Sequence, residues 1–237
     1  LRTEAPGRIA LYALCPLGIF EAAQHQDALV APGIAALLTL RPALAGAGGA
    51  LAVLAKGHAL LLLPRLARPL GIKGLAAALV VALLCSAPFL AAGLPDLTGM
   101  SRYLRGWIGY TPLWPTLRAL GMPVRIADGL CLSLVLGVAA AVALRPSTPA
   151  RDARNVLGAA LWCSKIAFPW YAISLLPALT LAPSLPWLVW VALLPLIYLP
   201  HLGLWPGADR VWVPLLLYGL PLLLALAAHG KRADQPV

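Results

Sequence analysis

Charge is the scarcest commodity in this chain. Only 11% of its 237 residues are Asp, Glu, Lys or Arg, against about 25% in an ordinary soluble domain. Just 8 of them are acidic. With 61% hydrophobic residues and a mean hydropathy of +0.87, the composition excludes a water-soluble domain and points to an integral membrane protein. Cysteine is sparse too: Cys15, Cys85, Cys131 and Cys163 stand in apolar stretches with no CxxC or CxxH spacing. They read as small buried hydrophobes, and no metal site or disulfide framework is argued from them. The sequence has no Walker loop, GxGxxG, GxSxG or HExxH, which leaves nothing to suggest nucleotide hydrolysis, a serine hydrolase or a zinc protease. Segments of about ten alternating residues, the mark of a lipid-facing barrel, are also missing. The chain opens on Leu1 and shows no signal-peptide cleavage pattern, so the expectation is an N-terminally incomplete version of a longer protein.

What is present is a series of apolar runs. They cover residues 9 to 23, 28 to 40, 43 to 64, 72 to 94, 126 to 144, 155 to 182, 184 to 204 and 211 to 228. A helix crosses a bilayer in about 20 such residues, so the reading is all-α: one polytopic transmembrane helical bundle over 1–237. The formal charge of +10 does not indicate nucleic acid, because the basic residues sit singly or in small groups between apolar runs.

Two runs are ambiguous. "LAVLAKGHALLLLP" (51 to 64) holds Lys56 and His58, and "CSKIAFPWY" (163 to 171) holds Lys165. As straight spans they strand two lysines in hydrocarbon, at several kcal/mol each. As chain reversals, with the first bend at Gly57, they bring both lysines to the extracytoplasmic mouth. Arg41, Arg65, Arg68, Lys73, Arg145, Arg151 and Arg154 then fall on the cytoplasmic side, as the positive-inside bias prefers. The cost is a half-helix from 43 to 55 too short to cross upright, and broken helices of this kind mark binding sites.

The same mouth would receive "EAAQHQDAL" (21 to 29) and the polar segment 95–125. That segment interleaves Arg102, Arg105, Arg118 and Arg125 with Tyr103, Trp107, Tyr110 and Trp114. It is either an anion site, in which guanidinium groups pair with phosphate and aromatic faces meet sugar, or an extracytoplasmic interfacial helix with aromatic anchors. Asp27 is a sugar-site candidate or the N-cap of the helix beginning near Ala28. His25 and His58 are likewise either site residues or hydrogen-bonded interface histidines. "FPWY" (168 to 171) is a helix-starting proline with boundary aromatics.

The order and spacing of these motifs resemble the later part of a GT-C class multipass glycosyltransferase. The closest likeness is to bacterial polyprenol-phosphate-mannose-dependent mannosyltransferases. "LYALCPLGIFEAAQHQDALV" (11 to 30) is similar to the family's Asn-Pro-Leu helix end and Gly-His-Asn-Asp-Ala-Leu turn, with Cys15 and Gln26 where asparagine is usual. "LAGAGGALAVLAKGHALLLLP" (44 to 64), "SRYLRGWIGYTPLWPTLRAL" (101 to 120) and "CSKIAFPWYAISLLPAL" (163 to 179) are similar to its Gly-rich short helix with lysine, its outer Trp segment and its lysine with Pro-Trp-Tyr.

The resemblance implies transfer of a sugar, most simply mannose, from a polyprenyl-phosphate donor to a glycolipid or glycan acceptor at the extracytoplasmic face. It implies Lys56, Lys165, Arg102 and Arg105 as the clamp on the donor phosphate. It implies His25, Asp27, His58, Tyr103, Trp107, Trp170 and Tyr171 around sugar, acceptor or prenyl chain. Membrane lipids, the lipid-linked sugar and the glycolipid or glycan acceptor are the partners, with no metal-binding residues assigned and no cofactor identified. The family's catalytic aspartate belongs to a first outer loop that this chain does not contain, so the catalytic residue is left open. Either the sequence is truncated, or it is a noncatalytic membrane subunit, or Asp27 or Glu21 serves as base. A transporter or flippase for a lipid-linked or anionic substrate is the alternative, since broken helices and buried cations suit transport as well.

Overall fold

A computed structural model describes residues 29–91, 111–145, 147–165, 168–198 and 212–233. All regular structure among the described residues is helical, in line with the all-α reading. The chain runs through α1 (Val30–Thr39), α2 (Pro42–Ala55) and α3 (Leu63–Ala91), the last entered through a 3-10 segment, Gly57–Leu62. Next come α4 (Leu113–Ala119), α5 (Val124–Leu144) and α6 (Pro149–Cys163). A second 3-10 segment, Pro169–Leu175, leads into α7 (Leu176–Leu181), followed by α8 (Leu185–Leu193) and α9 (Leu220–Ala233).

The first ambiguous run reverses. α2 opens with Arg41 as N-cap and Pro42 in its first turn, and it stops where Lys56 takes extended angles (φ −150, ψ 110). The chain then returns alongside α2. A Cβ built on Gly46 would stand 1.9 Å from the carbonyl oxygen of Gly74, and one on Gly74 would stand 2.7 Å from that of Pro42. Backbones this close exist only because both crossing residues are glycine. The bend is at Lys56 itself and not at Gly57, which has no positive φ and open space around its Cα. The conformational freedom of glycine is used instead at Gly71 (φ 57, ψ −172), which splits α3 into two limbs. Only glycine adopts those angles without strain.

The second ambiguous run reverses in the same way. Thr148 caps α6, its hydroxyl accepting from the Arg151 N–H, and Pro149 occupies the first turn, where no N–H is needed. After Cys163 the chain turns back. Arg154 near the start of α6 donates to the carbonyls of Ala182 (2.9 Å) and Pro183 (3.3 Å) just past α7. Pro177 lacks an N–H for the preceding turn, which explains why Pro169–Leu175 stays 3-10 until α7 takes over. Pro64 stands in the same relation to Gly57–Leu62 and α3.

Each reversal has two ends, and the contacts sort them. Arg65, on the returning limb of the first, bonds Asp152 at the start of α6 (2.6 Å) and the Ser147 carbonyl (3.1 Å). Asp152 also accepts from the Ser147 hydroxyl (2.7 Å) and backbone N–H. This knot around the buried Asp152 defines one end, the Arg65 end. Helices of 14 and 15 residues rise about 21 Å at 1.5 Å per residue, which carries Lys56 and Lys165 to the other.

The main core lies between these limbs, with Ile34, Leu157, Leu175 and Leu194 at 0% exposure. The outside is as apolar as the inside: Leu79, Leu83 and Leu84 of α3 and Leu132, Leu134 and Leu136 of α5 are exposed. By length and composition alone, two stretches, Gly57–Pro88 and Val124–Leu144, are long and apolar enough to cross a membrane, although Gly71 divides the first. The cysteines divide: Cys131 and Cys163 are buried as read from the sequence, whereas Cys85 is exposed among the α3 leucines, because it lies on the outward face of that limb.

Candidate functional site

The Lys56 end gathers charged and aromatic side chains from three places in the chain. The first is the α4 to α5 turn. Gly121 (φ 83) follows α4, its N–H bonding the Arg118 carbonyl (3.0 Å) while the Met122 N–H bonds that of Leu117 (3.1 Å). This is a Schellman stop, and it needs glycine at that position. It turns the chain directly into α5, so that the Trp114 indole donates to Asp128 Oδ1 at 2.7 Å.

The second contribution is Lys165, just beyond α6. Its ammonium lies 2.8 Å from Asp128 Oδ2 and 5.2 Å from the centre of the Trp114 ring. The pair is partly open, with side-chain exposures of 30% for Lys165 and 39% for Asp128. Behind it lies a cavity of about 440 Å³ lined by Leu61, Trp114, Asp128, Cys131, Cys163 and Lys165, among others. Its wall is largely apolar and its charge sits at Asp128 and Lys165, an arrangement suited to an amphiphile with a polar head.

The third is the first reversal. Lys56 Nζ sits 3.1 Å from the centre of the Tyr171 ring, joining the two reversals directly. A cation over an aromatic face is held by the ring quadrupole. Trp170 stacks on Phe168 (4.5 Å between centres, 10° between planes) and lies 6.2 Å from Tyr171. His58 follows on the 3-10 segment with Nε2 buried and without a hydrogen-bond partner among the described residues.

Thus Lys56, Lys165, Trp170 and Tyr171 stand at one end, as the two reversals require, with His58 two residues beyond Lys56. His25, Asp27, Arg102, Arg105, Tyr103 and Trp107 lie outside the described residues. Lys165 differs from the sequence reading in one respect: it arrives already paired with a carboxylate. Asp128 was missed because it looks like an interruption of the apolar run 126 to 144. The available signal was that same oddity, an acid one turn into a segment otherwise fit for lipid. Asp152 was missed because its partner Arg65 is 87 residues away.

A second cavity of about 660 Å³ lies beside the first, sharing Cys163 and walled by Leu113, Thr116, Leu134, Asn155 and Trp162. Trp187 closes it and meets Trp162 edge to face at 5.8 Å. Gly158 makes room for that ring, since a Cβ there would stand 2.5 Å from the Trp187 indole. Among the described residues no group of three or more His, Cys, Asp or Glu side chains could hold a metal ion.

No family model, no curated protein and no solved structure matches the chain.

Proposed function

We propose that the chain is a multi-pass membrane protein that takes part in sugar transfer from a polyprenyl-phosphate donor to a glycolipid or glycan acceptor at the extracytoplasmic face. The observation that carries the reading is the placement of Lys56 and Lys165, from two separate reversals, at one end of the molecule, Lys56 over Tyr171 and Lys165 on Asp128. Support for the membrane comes from the many exposed leucines of α3 and α5, a surface better suited to acyl chains than to water. Support for the orientation comes from the grouping of Arg41, Arg65, Arg68, Lys73, Arg145, Arg151 and Arg154 at the end away from Lys56, since short basic connections favour the cytoplasmic side.

In this reading the acceptor hydroxyl oxygen bonds to the anomeric carbon. The bond from that carbon to the phosphate oxygen breaks, and its electron pair leaves on the phosphate. Lys56 and Lys165 stabilise the growing negative charge, with Arg102 and Arg105 as further candidates. The hydroxyl proton passes to a carboxylate. Tyr171 and Trp170 flank the sugar or the prenyl chain, and His58 serves acceptor positioning.

The test is consumption of labelled polyprenyl-phosphate mannose by membranes carrying the protein as it occurs naturally. Lys56→Ala combined with Arg102→Ala is expected to lower turnover by roughly 100-fold or more, the scale on which one transition-state donor counts. Turnover retained in that variant would remove the phosphate clamp.

A transporter or flippase for a lipid-linked anion has one observation in its favour. The two reversals repeat one device: a proline-started helix, a lysine-bearing break, a 3-10 segment and a second helix with proline in its first turn. Transporters are commonly built from such repeats. Counterflow of the lipid-linked sugar in vesicles without acceptor would favour this reading over transfer.

A further inference from the structure

The Arg65 end carries an exposed cationic face that the proposed site does not use. Arg41, Arg68, Lys73, Arg145 and Arg151 are all exposed there. Their grouping follows from contacts already described. The approach of the Pro42 carbonyl to Gly74 brings Arg41 beside Lys73. The bonds from Arg65 to Ser147 and Asp152 bring the turn bearing Arg68 to the connection between Arg145 and Arg151.

No exposed acid offsets these charges among the described residues at this end. Asp152 is 2% exposed and is engaged by Arg65 and Ser147. Directly beside the cations the surface turns apolar: Ile72 next to Lys73 is 80% exposed, and Leu144 next to Arg145 is 81% exposed. Exposed Leu75 and Leu79 continue this wall along α3, as Leu136 does along α5. A rim of cations capping a leucine wall matches the profile of a leaflet, in which anionic headgroups cap acyl chains.

We propose that this rim docks anionic phospholipid headgroups, with Arg41, Lys73 and Arg145 taking the phosphates and the acyl chains lying along α3 and α5. Charge decides the occupant, because five exposed cations, with no exposed acid among the described residues at this end, discriminate an anionic lipid from a zwitterionic one of the same chain length. The proposal needs only the membrane setting and stands apart from the chemistry at the Lys56 end.

The experiment is native mass spectrometry of the full chain, released from detergent carrying equal amounts of palmitoyl-oleoyl phosphatidylglycerol and phosphatidylcholine. Phosphatidylglycerol should be retained in preference by on the order of tenfold, the scale of one or two basic contacts. The preference should fall to near parity in Arg41→Gln/Lys73→Gln/Arg145→Gln and persist in Arg118→Gln/Arg125→Gln at the other end. Parity in the unaltered chain overturns the proposal, and so does an equal loss in the opposite-end variant. Parity is also what an acidic protein partner for this face would give. Should the triple variant fail to fold, salt decides with the unaltered chain. Raising NaCl from about 50 mM to about 0.5 M screens surface charge and should erase the preference, and a preference that survives it overturns the proposal.

Discussion

Arg65→Ala is expected to destabilise the protein by about 3 kcal/mol, the largest loss foreseen for any single side chain here. The reason is what remains after the arginine has gone. Asp152 is 2% exposed, and Arg65 supplies its counter-charge at 2.6 Å. Without the guanidinium, a carboxylate is left buried with only the Ser147 hydroxyl and N–H for company. The Ser147 carbonyl loses its donor as well. A chain of this size should melt roughly 6–12 °C lower in detergent. The double variant Arg65→Met/Asp152→Leu should recover much of that loss, since an apolar pair of similar volume removes the stranded charge together with its partner. A melting point for Arg65→Ala within a degree of the parent would mean that the knot does not hold the two reversals together.

Gly46→Ala is the second large effect, and it contrasts with a neighbour. The new methyl would meet the Gly74 carbonyl at 1.9 Å, a backbone atom that no rotamer change can move. α2 and α3 must separate or tilt, at about 1–3 kcal/mol. Gly57→Ala meets nothing within 4 Å and needs no positive φ, so it should change stability by less than about 0.5 kcal/mol. Thermal melting of both variants in the same detergent checks the contrast. Equal effects would contradict the glycine crossing and with it the path of the first reversal.

These residues show how far the sequence could be read. A lysine followed by glycine inside "LAVLAKGHALLLLP" signals a break on energetic grounds alone, and the structure breaks there, at Lys56 rather than Gly57. "CSKIAFPWY" breaks by the same logic, confirmed by Arg154 reaching Ala182. The element boundaries were less legible. Residues 72 to 94 read as one span, and the second limb of α3 does begin just past the break at Gly71; what hydropathy left unmarked is the separate helical limb before it, residues 63 to 70. Asp128 and Asp152 were illegible as partners. Their ion pairs close over 37 and 87 residues, and only tertiary structure decides which acid meets which base.

The central claim is that two chain reversals carry Lys56 and Lys165 to one membrane face and leave the basic loops on the other. Labelling of single cysteines with a membrane-impermeant maleimide tests it most directly. The background is the full chain with Cys15, Cys85, Cys131 and Cys163 replaced by serine, in sealed vesicles of known orientation. Cysteines at 56 and 165 should label from the same side, and cysteines at 68 and 151 from the opposite side only. Labelling of 56 and 165 from opposite sides, or of 56 together with 68, would contradict the account.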